Sequence, residues 1–279
     1  MGFEHPQDQA QYRRPAHRAG VELYHANILR HSFEPHTHEA YGLGAITAGV
    51  GAFRWRGGEH FAPRASLMLM NPDDLHTGRA ASGEAWGYRM VYLQEGLLRE
   101  LCGGSAWSFH AAVAHDAEAS ARAAALIAAL WRAQEPLAFD SLLMELLQTL
   151  ARHARHGPAP ADERASPRFA AVTEYMRAHL ERKLSTEELA AVAGLSPFHF
   201  LRSFKSACDA TPQQALMVLR LAEAKRRLAG GEAPAAVAAA VGLTDQAHLT
   251  RQFARRYGVT PSRYQQQVGA AQARTRPAG

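Results

Sequence analysis

Cysteine is nearly absent from this chain: Cys102 and Cys208, far apart, are the only two among 279 residues. No disulfide framework can staple the fold, and two thiols fit a reducing cytoplasm. Long apolar runs are missing as well. Nothing approaches the ~18 residues that a membrane span requires, so a membrane is not an expected partner. The opening stretch, MGFEHPQDQAQYRRPAHRAG, has no apolar core of an export signal and reads as a flexible tail over 1–20. The cytoplasm is the expected location. Excess charge of one sign is scarce too, at +5 overall, but that small sum hides a division. Residues 166–279 hold 16 Lys+Arg and 8 Asp+Glu, a balance of +8, and the remainder holds 15 and 18, a balance of −3. A basic back half beside a mildly acidic front half implies that the back half meets a polyanion.

The residues that are present fall into blocks. Between 21 and 115, GLGAITAG, AFRWRG, SLMLMNP and WGYRMVYL are short apolar or alternating runs broken by Gly, Pro and Asp. Many short strands without a long helix predict an antiparallel barrel or sandwich. From 116 to 156 the period changes. Leu126, Ile127, Leu130 and Trp131 recur at helical spacing, Pro136 interrupts, and Leu142, Leu143, Leu146, Leu147 and Leu150 resume. Two helices forming a hairpin are predicted, with apolar faces wide enough to cover the barrel and to contact a second copy of the chain. A Pro-rich linker, 157–166, leads to a helical region, 167–268, and a tail, 269–279.

Helix punctuation after the linker is dense. Ser166-Pro167, Ser196-Pro197, Thr211-Pro212 and Thr260-Pro261 are starts, and Ser185 with Glu188 has capping-box spacing. Thr244 is the expected cap of the helix before Gly258. Gly194, Gly230-Gly231, Gly242 and Gly258 are stops. AAVAGLSPFHFLRSFKSACDATP (190–212) and AAAVGLTDQAHLTRQFARRYGVTP (238–261) repeat one scheme: a small-residue helix, Gly-Leu, a cap, a second helix, Thr-Pro. That is the helix-turn-helix unit. In the second helices Phe200 and Phe204, or Leu249 and Phe253, face inward at i,i+4. The opposite faces show Phe198, His199, Leu201 and Arg202, and Gln246, Ala247, Thr250 and Arg251. Gln and Arg can bond base edges, and an aromatic ring or Thr methyl can meet a thymine methyl. Arg255 and Arg256 are expected at phosphates. Two such units on a basic domain predict binding of double-stranded DNA.

Residues 167 to 267, above all GLTDQAHLTRQFARRYGVTPSRY, resemble the DNA-binding domain of the AraC/XylS family of transcriptional regulators. The resemblance implies two units entering successive major-groove faces on one side of operator DNA. Gln246, Ala247, His248 and Arg251 would read bases in the second unit, and Phe198, Leu201 and Arg202 in the first. Leu201 stands where a polar reader is frequent, so the first unit would read by shape and apolar contact. Residues 31 to 95 resemble the cupin-type effector domain of such regulators, with His-x-His at His36 and His38, the turn Ala62-Pro63-Arg64-Ala65, and a later His76. The fold class so implied is two-domain: an N-terminal antiparallel β-barrel of the cupin or jelly-roll type with a helical hairpin, then a C-terminal all-α domain with two helix-turn-helix units. Family habit implies an activator that contacts RNA polymerase, and the helix pair 116–156 is expected to hold a homodimer.

His36 and His38 share a strand face, since residues i and i+2 do, and His76 can join them. Three readings are open: a catalytic metal site, a structural metal site, or a small-molecule pocket. Metal-binding cupins add a carboxylate a few residues after His-x-His, and the corresponding positions here are Gly42 or Leu43. The expectation is therefore no metal, no cofactor and no enzyme activity. His36, His38, Tyr41, Trp55, His76 and Tyr88 are the expected effector-binding residues, with Arg54, Arg56 and Arg89 as candidate cationic lining.

Overall fold

The computed structural model of the protein describes residues 7–157 and 167–273, with side chains to residue 269. The expected linker beyond Gly157, the Ser166 cap, the first six residues and the tail beyond 273 lie outside the described residues. Nine strands come first: β1 (Gln9–Arg13), β2 (Val21–Ile28), β3 (Ser32–His36), β4 (Tyr41–Ala48), β5 (Val50–Trp55), β6 (Gly58–Pro63), β7 (Leu67–Met70), β8 (His76–Ala80) and β9 (Trp86–Leu93). A short helix α1 (Glu95–Leu101) and the two-residue strands β10 (Trp107–Ser108) and β11 (Val113–Ala114) follow. The hairpin is α2 (Ala117–Arg132) and α3 (Pro136–Ala151), closed by β12 (Arg155–His156).

Among the described residues the strands form a six-stranded sheet, β1-β2-β9-β4-β7-β11, a four-stranded sheet, β3-β8-β5-β6, and the small pair β10-β12. Their pairings are antiparallel. The larger sheet is apolar on both faces, because each face is covered. Tyr24, Met68, Met70, Trp86, Tyr88, Met90 and Tyr92 point into the barrel with Phe33, Phe53 and Trp55. Leu23, Leu43, Leu69, Val91 and Leu93 point outward against Leu126, Ile127, Leu130, Phe139, Leu143 and Leu146 of the hairpin. At the β6–β7 turn, Ala65 adopts φ 67°, a left-handed conformation that favours glycine.

Two expectations are corrected here. The tail over 1–20 contains β1, which pairs with β2 in the register Tyr12↔Tyr24. Gln-Ala-Gln-Tyr alternates, burying Ala10 and Tyr12, and Arg13 donates to the carbonyls of Leu130 (2.7 Å), Trp131 (2.5 Å) and Ala133 (2.6 Å) at the end of α2. Those carbonyls lack partners within the helix, so a guanidinium there satisfies groups that would otherwise be orphaned. The cap of the second reader helix is Asp245 rather than Thr244: its carboxylate accepts the His248 N–H at 2.6 Å.

The helical part runs α4 (Pro167–Ala178), α5 (Thr186–Val192), α6 (Pro197–Cys208), α7 (Pro212–Ala229), α8 (Pro234–Ala240), α9 (Gln246–Tyr257) and α10 (Pro261–Ala273). Capping boxes at Ser185/Glu188 and Thr211/Gln214 start α5 and α7. Asp209 ends α6 at φ 52°, the left-handed cap that Asp tolerates. The first unit, α5–α6, has its own core of Phe169, Val172, Met176, Leu189, Phe200 and Phe204. The second, α8–α9, packs Leu221, Val237, Leu249, Phe253 and Tyr264 into a core continuous with the barrel interior.

Candidate nucleic-acid interface and interdomain cavity

The two reader helices begin differently, and both present the expected faces. On α6, Phe198 is 72% exposed and Leu201 44%, while His199 and Arg202 are also exposed. Large apolar groups in water are costly unless a partner covers them. On α9, Gln246, Ala247 and Arg251 are exposed and His248 is half-buried. Thr250 is half-buried, with its hydroxyl donating to the Gln246 carbonyl at 2.9 Å. The end of α9 departs from expectation. Arg256 is 4% exposed, donates to the Pro35 carbonyl at 3.1 Å and pairs with Glu34 at 2.9 Å. It ties α9 to β3 and is not available to phosphate. Arg255 is exposed but leans the same way, 3.5 Å from Glu34.

A buried ionic group joins the barrel to α7 and α10. The Glu22 carboxylate accepts from Lys225 Nζ, from Arg14 Nε at 2.9 Å and from the Tyr264 hydroxyl at 2.7 Å. Burial pushes the Glu22 carboxyl up, but Lys225 and Arg14 outweigh it and hold the group below its ordinary 4.5. Lys225 is lowered from its ordinary value by burial, against the opposing pull of Glu22. Its ammonium also faces the rings of Tyr12, Tyr257, Tyr92 and Tyr264 at 4.9, 5.2, 5.5 and 5.5 Å. Cation–π attraction of this kind strengthens with desolvation.

Beside this group lies a cavity of about 310 Å³, lined by Arg14, Arg18, His38, Glu39, Tyr92, Lys225, Arg226 and Tyr257 among others. Its walls come from both the barrel and the helical part. A smaller inner space of about 30 Å³ continues behind His38 and Tyr92, lined by Tyr24, Phe33, His36, His76 and Tyr88. That inner volume holds roughly one or two waters.

The three histidines converge, although His38 lies past the end of β3 and not on it. His36 is paired with His76 across β3 and β8. Ring centroids are 4.3 Å apart for His36–His76, 5.1 Å for His36–His38 and 5.3 Å for His38–His76. His36 Nδ1 meets the Glu34 carbonyl at 2.8 Å, and His76 Nδ1 meets the Asp74 carbonyl at 2.9 Å. A carbonyl only accepts, so each Nδ1 carries the proton. Burial lowers the pKa of all three rings.

Not every expected effector residue reaches this place. Tyr41 is corrected: it shares the outward face of β4 with Leu43, packs under the hairpin, and donates its hydroxyl to the Trp107 carbonyl at 2.6 Å. Trp55 is buried in the barrel wall and lines a separate cleft with Arg54, Arg56 and Lys205. Arg89 turns outward to the Ala124 carbonyl at 3.1 Å, and Arg56 pairs with Asp74 at 3.6 Å. Conversely, Glu22, Arg14, Arg18, Tyr92 and Lys225 line the cavity without being among the expected residues. One signal was available: Glu22 has the strand parity of Tyr24, which places a carboxylate on an otherwise apolar inward face.

Comparison with known proteins agrees with this arrangement. Residues 18–150 match the AraC-like ligand binding domain family, and residues 189–267 match a helix-turn-helix domain family. The uncharacterized HTH-type transcriptional regulator YbfI of Bacillus subtilis (strain 168) is 27% identical over 242 residues, covering 82% of this chain and 86% of that protein. The MmsAB operon regulatory protein of Pseudomonas aeruginosa is 38% identical over 95 residues, covering 34% of this chain and 31% of that protein. Among solved structures, an apo ToxT variant from Vibrio cholerae strain SCE256 superposes with a TM-score of 0.57 at 9% identity, over 91% of this chain and 100% of that one. Wild-type ToxT from the same strain, bound to an unsaturated fatty acid, gives 0.55 at 8% identity, over 97% and 99%. These likenesses to ToxT are likenesses of fold. Among the described residues, no helix is long and apolar enough to cross a membrane.

Proposed function

Since the chain belongs to the AraC/XylS family of DNA-binding transcriptional regulators, with a ligand-binding N-terminal domain, we propose that it reads operator DNA through α6 and α9 and alters that reading when a small acidic effector enters the interdomain cavity. One observation carries the reading. The cavity walls belong to both parts of the chain, and they meet α9 at Tyr257, the last residue of the helix that carries the exposed Gln246, Ala247 and Arg251. Arg14, Arg18, Lys225 and Arg226 line it with Glu22 and Glu39. Asp140 and Glu223 already pair with Arg18 and Arg226, so what the wall offers an acidic ligand is a set of cationic hydrogen-bond donors, not an unbalanced charge. An effector that contacts both walls binds one docking geometry better than another and shifts the population toward it.

Base reading is assigned to Phe198, His199, Leu201, Arg202, Gln246, Ala247, His248, Thr250 and Arg251, with Arg255 at the rim. Binding as a homodimer and activation through RNA polymerase belong to the same reading. Leu137, 81% exposed on α3, supports a second copy at the hairpin. The test is selection of full-length protein on a random DNA pool, with aliphatic and aromatic carboxylic acids present or absent. Enrichment of paired half-sites, sensitive to one class of acid, is expected. A pool that emerges without sequence preference sinks the DNA assignment; a preference indifferent to all acids sinks the effector assignment.

A further inference from the structure

We propose that His36, His38 and His76 form a three-nitrogen site for a divalent transition-metal ion of the zinc class, built against the docked end of α9. One ring nitrogen from each lies within 4.8 Å of the other two. A zinc–nitrogen distance of about 2.0–2.1 Å places ligand nitrogens about 3.4 Å apart, so the rings need to draw in by about 1 Å. The geometry permits that movement, because His38 lies in the loop after β3 and no hydrogen bond holds its ring among the described residues.

The proton positions fit a ligand set. His36 and His76 each spend Nδ1–H on a backbone carbonyl, of Glu34 and Asp74. Each keeps an Nε2 lone pair for the space between the rings. A metal-bound imidazole commonly gives its other N–H to such a carbonyl, which fixes tautomer and ring orientation. Three imidazoles without thiolate or carboxylate select zinc, copper, nickel or cobalt over magnesium or calcium. Two cations stand near, Lys225 and Arg256, but Glu22 and Glu34 neutralise them. The absent carboxylate, which argues against a metal in the sequence, concerns only the fourth position. Water completes a tetrahedron there.

The site is wired to the second reader. The Pro35 carbonyl, one residue before His36, accepts from Arg256, and the His36 ring lies 6.3 Å from that of Tyr257. Drawing the three rings together therefore tightens the end of β3 on which α9 is docked. The inference goes beyond the effector reading and stands without it.

The experiment uses full-length protein stripped with chelator and titrated with Zn²⁺ by calorimetry and with Co²⁺ by visible absorption. One ion per chain is expected, with a tetrahedral cobalt spectrum and a melting temperature raised by Zn²⁺. His38→Gln alters a loop residue and should remain folded while binding at least tenfold more weakly; His76→Gln should do the same. His60→Gln, outside the cluster, should bind as the unaltered protein does. Absence of binding at 100 µM Zn²⁺, or equal binding by the unaltered protein and His38→Gln, overturns the proposal. Neither result bears on the response to carboxylic acids, which is measured without added metal.

Discussion

Arg251 and Arg256 lie five residues apart on α9 and have opposite surroundings. Arg251 is exposed beside Gln246 and Ala247, so a base edge is its fitting partner. Arg251→Ala should cost about 1–3 kcal/mol of operator affinity and relax preference at one position, read by anisotropy on single-base operator variants. Unchanged affinity in a folded variant would remove it from the reading face. Arg256, burial-lowered in pKa and held by Glu34 and Pro35, is a docking residue. Its replacement by Ala leaves Glu34 with Arg255 alone and strands the Pro35 carbonyl. The expected result is a lower melting temperature, with no change in the slope of affinity against salt, because no phosphate contact is lost. A flattened salt slope would return Arg256 to the DNA.

At the scale of elements, the helices were legible because their ends are written in residue types with one physical use. Pro167, Pro197, Pro212 and Pro261 each open a helix, and Gly242 closes α8 at φ 69°. A Cβ at Gly242 would meet the Leu180 carbonyl oxygen at 2.4 Å, so Gly242→Ala should destabilise the protein by about 1–3 kcal/mol. The cap of α9 lies one residue beyond the expected Thr244, since Thr244 and Asp245 are both good caps and only geometry chooses. Asp245→Ala should therefore cost about 1 kcal/mol and Thr244→Ala almost none, measured by denaturant unfolding. The strands were less legible for a different reason. YGLGAITA is apolar at both parities because helices cover one face of β4 and the barrel interior the other, so alternation could not tell that Tyr41 points to the hairpin. The histidine cluster was legible in the His-x-His spacing, although His38 lies in the loop after β3 and reaches the cluster without the strand parity that the spacing implies. The cavity was not: Arg14 and Glu22 are about two hundred residues from Lys225, and KRR at 225–227 reads as a solvated basic run until α7 docks.

At the scale of the whole molecule, the barrel and the second helix-turn-helix unit share one apolar core, pinned by the Glu22–Lys225–Arg14–Tyr264 group. Breaking a buried pair by removing one partner typically costs about 3–5 kcal/mol, because the remaining charge is uncompensated. Lys225→Met leaves Glu22 with Arg14 and Tyr264 alone, so it should destabilise strongly, and adding Glu22→Gln should recover part of the loss. The pH dependence follows from the depressed Glu22 carboxyl. Below 4.5 the unfolded chain takes up a proton before the folded protein does, so stability from this group is complete above 4.5 and is lost as pH falls through the lower, folded value. Chemical denaturation from pH 7 down to about 3 should show that loss in the unaltered protein, with a shallower acid limb in Glu22→Gln. The same group borders the interdomain cavity, so the two measurements join. Lys225→Met should retain specific DNA binding, because α6 and the exposed face of α9 are untouched, while its affinity no longer changes with a carboxylic acid that acts on the unaltered protein. If Lys225→Met still responds fully to that acid, the ionic group is a structural clamp and effector sensing lies elsewhere on the cavity wall.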